Sequence, residues 1–239
     1  MNQSVNDTSR PLIFLGSNLV MYKFTEVCDM LGIEVAGIID QDYHGNTKEI
    51  CELPVLDSEA SFQDPDLLDH YRNNFNFFCA VNWSPEKNPI AERNRRKRNM
   101  WLDTIRQHSL PCISIVDPDA RISRRSTIGV GCFVDAHVMI EARTTVGNFT
   151  NIYYNTILGH DNHVGDNCVF QRQCILTGSN TVGNDCYFAP AVKFMKTGAS
   201  AGANTFIQEG IYLRRGTVEN EVVSEHGGNQ SRVKSYPLV

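Results

Sequence analysis

The chain has 239 residues, of which 41% are hydrophobic, with 22 Lys and Arg against 27 Asp and Glu for a formal charge of −5. That acidic balance excludes a basic nucleic-acid-binding surface, and no apolar run is long enough to span a bilayer. The polar start, MNQSVNDTSR, lacks the apolar segment of a secretory signal, so the expectation is a soluble cytoplasmic protein. The eight cysteines form no C-x-x-C pair and no zinc-finger spacing, and in a cytoplasmic chain they are expected to stay reduced.

In chain order, RPLIFLGSN predicts a short buried strand, Leu12 to Leu15, that ends in a glycine turn at Gly16. A helix is predicted from about Val20 to Leu31, stopped by Gly32. EVAGIID then predicts a second strand ending at Asp40. Strand, glycine turn, helix, strand and acid in that order outline a Rossmann-like βαβ unit, although one glycine stands where a dinucleotide fingerprint has three. FNFFCAVN, residues 75–82, predicts another strand of the same sheet. Residues 92–105 predict a helix whose basic run, 93–98, is expected to be a solvated face, with phosphate as the alternative partner. LPCISIVDP gives a strand and a break at Pro118, which divides the chain into an α/β domain, 1–117, and a second domain, 118–239.

The second domain has a period of six. Stepping by six from Ile122 through Leu158, Val164 and Phe194 to Val218 gives seventeen positions, of which Ser200 alone is not apolar. Small residues, Cys132, Cys168, Cys174 and Cys186 among them, lie two positions earlier. Glycines 129, 147, 165 and 183 add a period of eighteen and are expected to mark corners that need a permissive backbone. Three hexapeptides per turn predict a parallel β-helix of triangular section with the apolar series inside. The cysteines are then packing residues and not ligands.

ILGHDNHVGDNC, residues 157–168, places His160, Asp161 and His163 on one corner of that helix. A step of eighteen from His160 reaches Ala142, Gly178, Lys196 and Arg214. A histidine beneath a bare glycine has open space and backbone amides near it, which suits a general base beside an oxyanion donor; taken alone, it reads first as a surface histidine on an exposed turn. The period fixes no third ligand beside His160 and His163, so no metal is expected.

The hexapeptide series, the GHDNHVG motif and the α/β unit in front resemble the left-handed parallel β-helix sugar acyltransferases, in particular the sialic acid O-acetyltransferase and bacillosamine N-acetyltransferase group, over Leu12 to about Lys234. The resemblance implies an acetyl-CoA-dependent acetyltransferase acting on the amino group of a nucleotide-linked or free sugar for surface glycan synthesis. O-acetylation of a sialic-acid-like sugar and a catalytically silent scaffold are the alternatives. It implies His160 as general base, Asp161 as the acid that orients it, and Gly178 as amide donor to the acyl carbonyl, with Lys196 beside Gly178 in the cofactor site. It implies that Gly16, Ser17, Asn18 and Asp40 hold the nucleotide, and that acetyl-CoA lies between subunits of a homotrimer. The sequence departs from relatives at the G-S-N turn, at Val169 and Tyr153 where some carry histidine and asparagine, and at Gln230 in a tail similar to the family's G-N-P-A ending.

Overall fold

The computed structural model describes residues 8–18, 20–226 and 229–233, and the chain divides between Ile115 and Val116 into two units. The first contains β1 (Leu12–Leu15), α1 (Met21–Leu31), β2 (Val35–Ile39), β3 (Glu49–Ile50), β4 (Leu53–Asp57), α2 (Pro65–Asn74), β5 (Asn76–Cys79) and α3 (Pro89–His108). The sheet order is β3-β4-β2-β1-β5, parallel except for the β3–β4 pair, which is the Rossmann-like arrangement expected. The interior strand β1 is buried along its whole length, as a strand covered on both faces must be. Helix α1 stops at Gly32, whose φ of +67° is the left-handed cap that glycine adopts without strain.

Helix α3 begins three residues before the predicted start. Asn88 caps it through a bond from the Ala91 amide, and Pro89 opens its first turn. Its basic run is a solvated face only in part, with Arg93 and Arg96 exposed. Lys97 and Arg98 lie on the buried side with Trp101, Leu102 and Ile105, and Arg98 Nη1 donates to the Val81 carbonyl at 2.6 Å.

The second unit is a left-handed parallel β-helix whose three sheets are built of two-residue strands. Residue pairs 139–140, 157–158, 175–176 and 193–194 stack on one face, 145–146, 163–164 and 181–182 on the second, and 133–134, 151–152, 169–170 and 187–188 on the third. Neighbouring coils are eighteen residues apart, with Leu158 over Ile140 and Leu176 over Leu158. The second residue of each pair points inward and forms the core, where Phe170 and Phe188 stack at 4.5 Å.

Three features differ from the periodic expectation. Every sixth residue from His137 to Ala191 has φ between 54° and 62°, so the left-handed corner positions are held by Asn, Asp and others, and not by the eighteen-spaced glycines. Those glycines permit close approach instead: a Cβ on Gly147 would stand 2.6 Å from the Gly165 carbonyl carbon. The small inward residues are also donors. Cys132, Thr144, Thr150, Thr156, Cys168 and Cys174 each donate to the carbonyl fifteen residues on, which satisfies a corner carbonyl inside an apolar core.

The third difference is a slip of register. After Phe194 the corner holds one extra residue, so Val182 pairs with Ala201 and Phe194 with Leu213, each nineteen apart. Ala201, Ile207 and Leu213 point inward, and the predicted Ser200, Phe206 and Tyr212 precede them on the outer side. Val218, also predicted inward, is 69% exposed. The last coil ends in an antiparallel pair, Val222–His226 with Asn229–Val233, where Gln230 faces Glu225 along the backbone; the rest of the tail after 233 lies outside the described residues.

Burial raises the Cys28, Cys112 and Cys174 thiols to about 12 and pushes Cys79 and Cys168 upward as well, which suppresses the reactive thiolate. Cys51 is the exposed cysteine. A thiol reagent at pH 8 should therefore modify one thiol of the native protein rapidly, that of Cys51, and the remaining seven only on unfolding. Rapid modification of five or more would mean that the β-helix interior is open, since four of the eight cysteines lie in the first unit.

Candidate active site

The corner Gly159–His163 links the inward residues Leu158 and Val164. Its backbone is fixed from both neighbouring coils: the Asp161 amide donates to the Ala142 carbonyl at 3.0 Å, and the His160 carbonyl accepts from the Ser179 amide at 2.8 Å. Beneath it runs a column of buried polar side chains. Asn162, fully buried, donates through Nδ2 to the Gly159 carbonyl at 2.6 Å and accepts from the Asn180 amide at 2.8 Å. The Asn162 amide in turn donates to Thr144 Oγ1 at 3.1 Å. The corner is therefore anchored by hydrogen bonds from one coil to the next, while the residues at its tip project outward.

His160 is that tip, with 55% of its side chain exposed, and its Nδ1 lies 2.6 Å from Asp161 Oδ2. The ring lies against Gly178, where an added Cβ would stand 2.7 Å from both Cε1 and Nε2. Glycine at 178 thus leaves the space that the imidazole fills. Among the described residues the Gly178 N–H meets no acceptor. On another corner the equivalent amides of Val130, Asn148 and Asp166 are each capped by a side-chain oxygen eighteen residues on, at 3.0, 2.7 and 2.9 Å. An amide left open beside a histidine is a donor available to an incoming carbonyl oxygen.

Asp161 has a second partner that the sequence analysis did not single out. Arg143, one coil earlier, donates from Nε to Oδ1 at 2.5 Å and from Nη2 to Oδ2 at 2.7 Å. The Arg143 hydrogen bonds, and then that of His160, hold the Asp161 carboxyl well below the usual carboxylate range. An ionised carboxylate only accepts, so the 2.6 Å contact requires a proton on His160 Nδ1, and in the neutral ring the lone pair is then on Nε2. The signal for Arg143 was in the register: the eighteen-residue step that sets Gly178 over His160 sets Arg143 under Asp161.

Lys196 keeps its place in the column, two residues after Phe194 as Gly178 is two after Leu176, and its side chain is exposed. Arg214 does not. The slip gives that place to Arg215, which pairs with Glu221, while Arg214 stacks over Tyr212 at 4.9 Å. His163 stands outside the second face and bonds Thr145 Oγ1 at 2.9 Å. No three His, Cys, Asp or Glu side chains gather among the described residues. Val169 and Tyr153 are buried, the latter against Phe133 at 5.8 Å.

In the first unit Gly16, Ser17 and Asn18 follow β1 and Asp40 follows β2. The chain runs from β1 outward to β2 and β4 and returns to β5 on the other side of β1, and ligands of such sheets bind at the carboxyl ends of strands at that reversal. Gly16 has φ +70° and admits no side chain, since a Cβ would lie 2.4 Å from Val81 Cγ2 and 2.6 Å from Trp101 Nε1. Ser17 Oγ donates to Asp40 Oδ2 at 2.6 Å. The fully buried Asp40 also accepts from Lys97 Nζ at 2.7 Å through both oxygens and from the Asp42 amide at 3.0 Å. Asn18 bonds the Asn82 carbonyl at 3.2 Å. Beside this cluster a cleft of about 320 Å³ is lined by Gln41, Asp42, Arg93, Arg96, Lys97 and Met100.

No family model and no curated protein matches the chain. Solved structures do. A point mutant of perosamine N-acetyltransferase from Caulobacter crescentus, in complex with CoA and GDP-perosamine, is 21% identical with a TM-score of 0.72, over 89% of this chain and 92% of that one. WeeI from Acinetobacter baumannii is 13% identical with a TM-score of 0.73, over 90% and 96%. The acetyltransferase domain of PglB from Neisseria gonorrhoeae, in complex with acetyl coenzyme A, is 16% identical with a TM-score of 0.61, over 94% and 99%. At these identities the likeness establishes a shared fold over nearly the whole chain.

The Asn162 column yields a stability test. Asn162→Ala strands the buried Asn180 amide and leaves the Gly159 carbonyl with Thr144 Oγ1 as its remaining donor, and an unpaired buried polar group costs roughly 1–3 kcal/mol. Denaturant unfolding should show a loss of about 2 kcal/mol or more against wild type. An unchanged midpoint would mean that the column does not support this corner.

Proposed function

We propose that the chain is an acetyl-CoA-dependent sugar N-acetyltransferase with His160 as its general base. The observation that carries this reading is the arrangement on one corner: a histidine with its Nδ1 held by an ionised carboxylate, its Nε2 free, and an open Gly178 amide against its ring. The shared fold supports it, since two of the similar structures are described as acetyltransferases with CoA or acetyl-CoA bound. The exposed Lys196, one coil beyond Gly178, supplies a positive charge where an anionic acyl carrier would lie.

Acetyl-CoA would supply an activated acyl carbonyl. His160 Nε2 takes a proton from the acceptor amine as the nitrogen attacks that carbon. The Gly178 N–H receives the oxygen that becomes negative. Asp161 stabilises the positive charge that His160 gains. As the carbonyl reforms and the carbon–sulfur bond breaks, His160 returns the proton to the departing sulfur. No covalent bond to the protein forms, and the rate comes from holding both reactants at one base.

A nucleotide-linked amino sugar is the preferred acceptor. The supports are the crevice at the carboxyl ends of β1, β2 and β5 and the GDP-perosamine described in the Caulobacter structure. Gly16 and Asn18 shape that crevice, and Ser17 and Asp40 are joined to Lys97 at its base. The assembly proposed is a homotrimer with acetyl-CoA between subunits.

Product mass spectrometry tests the activity. Protein incubated with acetyl-CoA and a panel of nucleotide-linked amino and hydroxy sugars should yield an N-acetylated product that is lost, by about a hundredfold or more, in His160→Ala. Wild-type product that persists in the variant would remove His160 from the chemistry, and no product from any amine would overturn the reading. The trimer is tested by light scattering at micromolar protein, where a mass three times the 26.9 kDa of one chain is expected and a monomer would rule out a site between subunits.

A further inference from the structure

Arg143, one coil before the His160 corner, has no task in the acetyl-transfer reading. It touches only Asp161 in that corner, through a fork that engages both carboxylate oxygens, and it is 60% exposed. An ion pair this exposed contributes little to folding, because water screens it and two long side chains must be ordered to form it. Nor is Arg143 a comfortable occupant of its position: φ is +61°, a left-handed conformation that Asn and Asp tolerate better.

The fork determines the pose of Asp161. A bidentate guanidinium fixes the plane of a carboxylate and the direction of its lone pairs. Asp161 projects from a corner, 32% exposed, where a carboxylate without such a clamp rotates among several staggered positions. With Arg143 in place, Oδ2 is held where it meets His160 Nδ1 at 2.6 Å. We propose that Arg143 is a positioning residue: its guanidinium fork aims the Asp161 carboxylate at His160 Nδ1, and so selects the imidazole tautomer whose Nε2 is free. Its part in turnover rests on the acetyl-transfer reading above; its part in selecting the tautomer does not.

Fork and charge have opposite consequences, which makes them separable. The fork gives His160 a fixed orientation and tautomer. The positive charge of Arg143 opposes the positive charge His160 gains on accepting a proton. The charged groups on the surrounding corners are Glu141 and Arg143 on the coil before, Asp161 and His163 on the same corner, and Lys196 two coils on. Arg143 alone forks Asp161. Arg143→Ala removes both fork and charge, whereas Arg143→Lys keeps the charge and loses the fork.

The test is long-range proton–nitrogen NMR on protein labelled with ¹⁵N-histidine, with the His160 signal assigned by its loss in His160→Ala. In wild type the Nδ1–H tautomer should dominate, and both Arg143 variants should show a mixture. In the product assay, kcat of Arg143→Ala should fall about tenfold while KM for acetyl-CoA changes by less than about twofold. The acid limb of its kcat/KM profile should move to higher pH, and that of Arg143→Lys should stay in place. A His160 signal unchanged in both variants would overturn the proposal, as would unchanged kcat with only a lowered Tm. A tautomer change in protein that acetylates nothing would leave the positioning role standing and overturn the acetyl-transfer reading alone.

Discussion

Coil-to-coil backbone pairing at a fixed interval is the constraint on which the second unit depends. Backbone amides donate to carbonyls of the neighbouring coil, as Gly159 does to Leu176 at 2.8 Å and His163 does to Asn180 at 2.8 Å. A residue's neighbours are therefore the residues eighteen before and eighteen after it. Arg143 under Asp161, His160 beneath Gly178 and the Thr144–Asn162–Asn180 column are all products of that interval. Because each coil is tied to its neighbours at every strand and corner, the position of one side chain is defined by three stacked levels of backbone.

The two acids of interest, Asp161 and Asp40, show how burial determines what a carboxylate can do. Asp161 stands at the surface, shares its oxygens between Arg143 and His160, and leaves the histidine open on its other nitrogen. Asp40 is fully buried and its oxygens are met by Ser17, Lys97 and the Asp42 amide. A buried charge without such partners would be costly, so Lys97 and Ser17 are the condition for having an acid there. The acid that the sequence places at the end of a strand is thus joined first to its own protein.

The sequence made the β-helix legible because an interior filled by one residue in six leaves a period that neither a helix nor an ordinary strand has. It also carried the one break in that period: Ser200, the polar member of the apolar series, stands outward because of the extra residue before it. Counting by eighteen across that break misplaced Arg214. The corner glycines were located correctly and explained wrongly, since their backbone angles are ordinary and the need is for space. Arg143 was missed because counting began from the histidine and not from its acid. In the first unit the βαβ outline was readable from Leu12 to Asp40, whereas α2 was not, although Asp64 and Pro65 form a cap and first turn of the same kind as Asn88 and Pro89 in α3. The buried face of α3 was concealed because Lys97 and Arg98 are inward-facing cations, which composition alone assigns to the surface.

The antiparallel strand at the end of the β-helix also bears on solubility. A stack of parallel coils has open ends, and an open end is a template on which another chain's strands can add, the geometry by which sheets grow into fibrils. Adding a coil requires parallel pairing on all three faces together. On the third face, Asn229–Val233 runs back against Val222–His226, so that edge is already paired in the opposite sense. A further coil would have to add on that face against an edge of the opposite sense.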